Sequence, residues 1–306
     1  VLARLLPRGE KSSDPPVLMC HGLAMNRRAF ALDPQRSFAV ALAETGRDVW
    51  LLELRGAVNG PVPKALKRSC FDDYSAHDVP KALEFVCLQT DAPHVDWVGF
   101  SMGGMLAYAH LGARRGKHVR KLVTIGSPVH FENHPVARGL AILPMLLAPM
   151  LWLTRTPFRF LSLLVAPLVW PGVPHALSRG LRGEHYSTGD FRALMANSLS
   201  DVPTGVAKQF IRWVRTASFD SEDRALDYRS EMKAIRTDTL VIAGSHDRLA
   251  TPYSVLDAEK HITNATVETR VIGKHTGAAR DYDHMDLILG RDALREVFPL
   301  VREWLS

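Results

Sequence analysis

The chain has 306 residues, 46% hydrophobic and 23% charged, with a mean hydropathy of −0.04, which provides for one large globular core and excludes a disordered or fibrous chain. Its net charge of +6 and pI near 9.3 are basic, but pairs such as Arg27-Arg28 and Arg114-Arg115 lie scattered among acids without interleaved aromatics, so no nucleic-acid partner is expected. Three cysteines, Cys20, Cys70 and Cys87, form an odd set without metal-ligand spacing, which implies no disulfide framework and points to a reducing, cytoplasmic setting.

A βα rhythm runs along the chain. Pro16 to Cys20 reads as a short buried strand ending at His21-Gly22, and Ser37 to Glu44 as a helix. Asp48 to Leu54 is a buried-type strand closed by Arg55-Gly56, followed by an amphipathic helix over Tyr74 to Leu88. Val95 to Gly99 is the next strand, with a helix from Met105 to Leu111, and Lys121 to Ile125 another. After a long interruption come strands over Thr239 to Ala243 and Thr266 to Ile272, and Asp292 to Leu305 closes the chain as a helix. Alternating strands and helices predict a mostly parallel sheet covered on both faces, with reactive groups gathered at the carboxyl ends of its strands.

The interruption covers residues 130–238 and contains no βα unit. It predicts a large, mainly helical cap inserted into a core made of 1–129 and 239–306. Its stretch from Leu140 to Val173 is strongly apolar, but Pro144, Pro149 and Pro167 divide it into runs shorter than the roughly 18 residues of a spanning helix. Buried cap helices are the expectation, with an apolar face that receives acyl chains or touches a membrane surface. No leader is visible, and the first residue is Val. Oligomeric state has no signature in the sequence.

The strand over Val95–Gly99 runs into Gly99-Phe100-Ser101-Met102-Gly103 and then a helix. Strand, sharp turn and helix around Gly-x-Ser-x-Gly place a serine hydroxyl at the tip of a strained elbow, with glycines where side chains would collide. A serine nucleophile needs a base, and the base an orienting acid, in the order serine, acid, histidine. Asp247 supplies the acid in the loop after Thr239–Ala243. Two late histidines compete for the base. His275 follows the last strand in Gly-Lys-His-Thr-Gly, and His284 lies in Asp-Tyr-Asp-His-Met-Asp-Leu before the closing helix. His284 is preferred. The backbone amides of Met102 and of Leu23, in the loop opened by Gly22, are the expected oxyanion donors, with His21 a structural hydrogen-bonder.

Taken together, His21-Gly22, Gly99-Phe100-Ser101-Met102-Gly103, Asp247 and His284 resemble the α/β-hydrolase superfamily over nearly the whole chain. Asp48 to Gly56, His77 to Ala82, Tyr253 to Asp257 and His284-Met-Asp look like its acid-lipase and polyhydroxyalkanoate-synthase-like branches. Those synthases carry cysteine at the elbow. Ser101 therefore favours hydrolysis of a lipid-like ester, and it also separates the chain from relatives that cleave epoxides or halides with an elbow Asp. An acyltransferase or thioesterase would use the same triad, and a non-catalytic module would keep the fold as a ligand pocket. His130 and His134 have i, i+4 spacing but no third ligand, so no metal is expected, and without a phosphate-binding loop no nucleotide cofactor is expected.

Overall fold

The computed structural model describes residues 1–32, 37–57, 66, 68–131, 155–156, 193–194 and 196–306. Seven strands form one sheet: β1 (Leu2–Leu5), β2 (Val17–Cys20), β3 (Val49–Leu52), β4 (Val95–Phe100), β5 (Val119–Ile125), β6 (Asp238–Gly244) and β7 (Val267–Ile272). Their spatial order is β1-β3-β2-β4-β5-β6-β7. Every pairing is parallel except that of β1, which runs antiparallel to β3 at the edge, Leu2 opposite Leu52.

The apolar runs at β2, β3 and β4 are buried on both sides because helices cover both faces. Side chains of a strand alternate, and the two cores divide accordingly. Leu18, Cys20, Trp50, Leu52 and Trp97 belong to one, and Val17, Met19, Val49, Leu51 and Val98 to the other. At the amino end of β4, the fully buried Asp96 accepts hydrogen bonds from Arg47 and from Arg120 Nε and Nη2 at 2.8 and 2.7 Å. Arg120 also donates to the Leu305 carbonyl, so this cluster ties the chain's last helix to the sheet.

Helices α1 (Phe38–Glu44) and α2 (Val79–Thr90) differ in how well their pattern predicts them. Ser37 caps α1 by accepting the Val40 amide, as a helix start requires. Over Tyr74–Leu88, where the spacing predicts one helix, the structure has a short turn Phe71–Asp73, a π-helical turn Tyr74–Asp78 and then α2. Pro80 has no N–H to bond four residues back, and the Val79 amide reaches Tyr74 O, five residues back. Helix α3 spans Met102–Tyr108, starting directly after Ser101 rather than at Met105, and a π turn over Ala109–Ala113 follows it. The closing helix is divided into Ala293–Glu296 and α5 (Phe298–Leu305), with Pro299 at the start of the second piece.

Between β5 and β6, the described part holds helix α4 (Thr204–Thr216) and a turn over Tyr228–Glu231. This part is rooted in the main core. The Phe71 ring packs on Trp213, Phe219 and Tyr228 with centroids 5.0, 6.0 and 5.6 Å away. The apolar stretch 140–173, apart from 155–156, lies outside the described residues.

Candidate active site

The elbow begins where β4 ends. Ser101 has φ 52° and ψ −118°, a conformation that L residues adopt only under constraint. Three backbone bonds impose it: Ser101 N–H donates to Ile125 O at 2.8 Å, and Ser101 O accepts the Gly104 and Met105 amides at 3.0 and 3.2 Å. The flanking glycines are steric necessities. A β-carbon on Gly99 would overlap the backbone of Gly103 and Gly104, and one on Gly103 would overlap the Cys20 carbonyl of β2. The strand-to-helix reversal therefore fits only without those two side chains.

Asp247 and His284 arrive from the loops after β6 and β7 and meet. Asp247 Oδ2 lies 2.6 Å from His284 Nδ1, and both residues are buried. Asp247 Oδ1 accepts the Leu249 and Ala250 amides at 2.8 and 2.7 Å, so the carboxylate is held at both oxygens. His284 is held by its own amide, which donates to Asp283 Oδ1 at 2.8 Å, while the Asp283 amide donates to Asp286 Oδ2 at 2.9 Å. Its ring packs on Phe100, the residue before the serine, with centroids 4.8 Å apart. A carboxylate on Nδ1 favours the tautomer with the proton there and leaves the Nε2 lone pair free to take a proton. The competing His275 sits exposed in the turn Lys274–Thr276. Ser101 Oγ makes no hydrogen bond among the described residues. It lines the same cavity as His284.

The loop after β2 closes over the serine. A β-carbon on Gly22 would lie 3.0 Å from Ser101 Cβ and 3.1 Å from the Phe100 ring, so the Gly22 backbone packs against the serine side chain, and Gly22 and Leu23 line the same cavity as Ser101. The amides of Leu23 and Met102 make no backbone hydrogen bond among the described residues. Beneath the loop, buried His21 places Nδ1 2.9 Å from Gly22 O and Nε2 3.4 Å from the Leu54 amide. Only a neutral ring donates through Nδ1 and accepts through Nε2. Burial acts the same way, lowering the His21 pKa to about 4 against a pull upward from the Gly22 carbonyl. Glu53 Oε1 lies 3.9 Å from Nε2, beyond hydrogen-bond distance, and the Glu53 carboxyl, pushed up by burial, pairs through Oε2 with Arg27 Nη1 at 3.2 Å.

The cavity at Ser101 has a volume of about 370 Å³. Its described walls are apolar, with Met25, Met105, Phe131, Phe210 and Val214 among them and no Asp, Glu, Lys or Arg. The sequence pattern did not single out Phe131, Phe210 or Val214. For the last two, the available signal was their spacing of four on a helix. A larger cavity of about 560 Å³, between Trp50 and Phe85 at the sheet edge, is lined by neither Ser101 nor His284. His130 packs edge-on against Tyr253, with centroids 5.3 Å apart, and His134 lies outside the described residues.

Comparison with known proteins agrees with this architecture. Mouse lipase member N is 22% identical over 95% of this chain and 79% of its own length. Rat gastric triacylglycerol lipase is 21% identical over 96% of this chain and 82% of its own. Among solved structures, a thermophilic esterase from Thermogutta terrifontis superposes with a TM-score of 0.62 at 17% identity, covering 99% of this chain and 92% of that one, a likeness of fold. The model of the alpha/beta hydrolase fold matches residues 15–278, a span that takes in Ser101 and Asp247 and stops short of His284. The chain belongs to the α/β-hydrolase fold family and is a hydrolase of the lipase and esterase type.

Proposed function

We propose that this hydrolase cleaves carboxylic esters with a hydrophobic moiety through an acyl-enzyme on Ser101. The observation that carries the proposal is the buried Asp247–His284 pair at 2.6 Å, which shares an apolar cavity with a serine on a strained elbow. His284 Nε2 takes the Ser101 proton as the hydroxyl attacks the ester carbonyl, and returns it to the leaving alcohol. It then activates water for deacylation. Asp247 keeps the imidazole in the required tautomer and stabilises its charged form. The Leu23 and Met102 amides receive the oxyanion, each such donor typically being worth about 3 kcal/mol.

Three features support a lipid-like substrate. The described cavity wall lacks a charged side chain, the rat relative is named a triacylglycerol lipase, and the chain carries its apolar stretch in the segment 130–238. We take that segment as an insertion between 1–129 and 239–306, with its end from Thr204 onward seated on the core. Among the described residues, no helix is long and apolar enough to cross a membrane.

A fluorophosphonate probe tests the assignment. Labelling of the wild type and none of Ser101→Ala is expected, together with loss of p-nitrophenyl ester hydrolysis in the variant. Equal labelling of both proteins would remove Ser101 from the mechanism.

A further inference from the structure

We infer that helix α4, through Phe210 and Val214, sets the length of the acyl chain this site accepts, which makes esters of medium-chain acids its substrate class. The inference rests on the function proposed above.

Helix α4 presents two adjoining stripes. Val206, Ala207, Gln209 and Trp213 are buried in the core. Phe210 and Val214, one turn apart on the same flank, face the cavity that holds Ser101 and His284. This wall is clamped from behind. The buried Gln209 amide accepts the Phe71 N–H through Oε1 at 2.9 Å and donates through Nε2 to Asp72 Oδ1 at 2.9 Å and Asp220 O at 3.2 Å. Asp72 Oδ1 also accepts the Tyr228 hydroxyl at 2.6 Å, and Trp213 Nε1 donates to Asp220 O at 2.8 Å. Phe210 packs on Trp213 with the rings tilted by 54° and their centroids 4.8 Å apart. A polar anchor that satisfies a buried amide at both ends does not shift without leaving donors unpaired. The helix therefore meets an entering chain as a fixed stop. At roughly 30 Å³ per non-hydrogen atom, the 370 Å³ cavity holds about a dozen such atoms, an acyl chain of about ten carbons with its two ester oxygens.

The experiment measures kcat/KM over p-nitrophenyl esters from acetate to palmitate, using the wild type, Phe210→Ala and Val214→Phe. The wild type is expected to peak at a medium chain. Phe210→Ala moves the peak to longer chains and Val214→Phe to shorter ones, each newly admitted or excluded methylene changing kcat/KM by about fourfold. Shifts in opposite directions are not what general structural damage produces. Phe210→Leu, which keeps most of the buried area, moves the peak in the same direction by less and stands in if the alanine variant does not fold. Unmoved peaks in folded, probe-labelled variants overturn the role of α4 and leave Ser101 in place. Absence of Ser101-dependent ester hydrolysis in the wild type overturns both readings.

Discussion

Protonation of His21 should destabilise the fold in mild acid, and the effect can be isolated. The ring is buried, donates to Gly22 O and accepts from Leu54 N–H, so a proton on Nε2 would face another donor. Burial lowers its pKa from 6.5 to about 4. Between these values the unfolded chain binds one more proton than the folded one, so stability is complete above the unfolded value and falls as pH drops towards the folded one. The loss is about 1.4 kcal/mol per pH unit and about 3 kcal/mol in all. His110, also lowered by burial, adds a slope of the same sign, and Glu53, raised by burial, one of opposite sign. Both remain in a His21→Gln variant. Urea unfolding of wild type and variant from about pH 7 to about pH 4.5 therefore isolates the His21 term. The variant starts less stable by about 1–3 kcal/mol for the broken hydrogen bonds, and the two curves converge as pH falls. Parallel curves would refute the reasoning. They would mean that Glu53, 3.9 Å away, supports a charged ring after all.

Asp247→Asn should lower kcat on p-nitrophenyl butyrate by about 10⁴ with little change in thermal stability. The Leu249 and Ala250 amides require an oxygen at Oδ1, so the new NH₂ faces His284 Nδ1, and the ring must carry its proton on Nε2, where it cannot receive the serine's. Asp96→Ala should lower the unfolding free energy by about 3 kcal/mol in urea titrations, because it removes the buried carboxylate that both guanidiniums bond and leaves Arg47 and Arg120 only Asp14 as an acidic partner among the described residues, at 3.8 and 3.9 Å. Probe labelling of the folded variant should be unaltered, since Asp96 lies at the end of β4 away from Ser101.

The central strands were legible because a parallel strand buried on both faces reads as an apolar run, and the limits of β2 to β6 fall within a residue or two of those runs, while the edge strand β7 mixes polar and apolar residues and is only partly buried. β1 was missed. Leu2–Leu5 is four residues long, only partly buried, and forms a strand because β3 offers it an open edge. Asp247 and His284 were legible as chemistry because each follows a strand in a loop able to carry a polar side chain into the site, and the structure brings the two together. Of the two late histidines, His284 pairs with Asp247 while His275 sits exposed in the turn that directly follows β7. Phe131, Phe210 and Val214 were not legible as cavity walls. The positions Val206, Phe210, Trp213 and Val214 announce an apolar helical flank, but the cavity they face depends on how Gln209 and Phe71, far apart in the chain, fix the helix.

The two kinds of residue are held by different means, and this separates chemistry from selectivity. Leu23, Ser101, Asp247 and His284 follow β2, β4, β6 and β7, four strands of one parallel sheet. Main-chain hydrogen bonds fix where those strands end, and further backbone amides secure the serine and the carboxylate locally. Side-chain substitutions elsewhere leave that framework in place. The wall at Phe210 and Val214 belongs instead to the segment between β5 and β6. Gln209 and Trp213 hold it by their side chains, and backbone bonds such as Ser200 N–H to Ala24 O attach it to the loop after β2. Replacing a few side chains there reshapes the cavity without displacing the elbow. Under the mechanism proposed here the pocket can therefore change its acyl preference while Ser101, His284 and the Leu23 and Met102 amides stay where the sheet puts them, and variants of α4 should move KM and chain-length dependence before they move kcat.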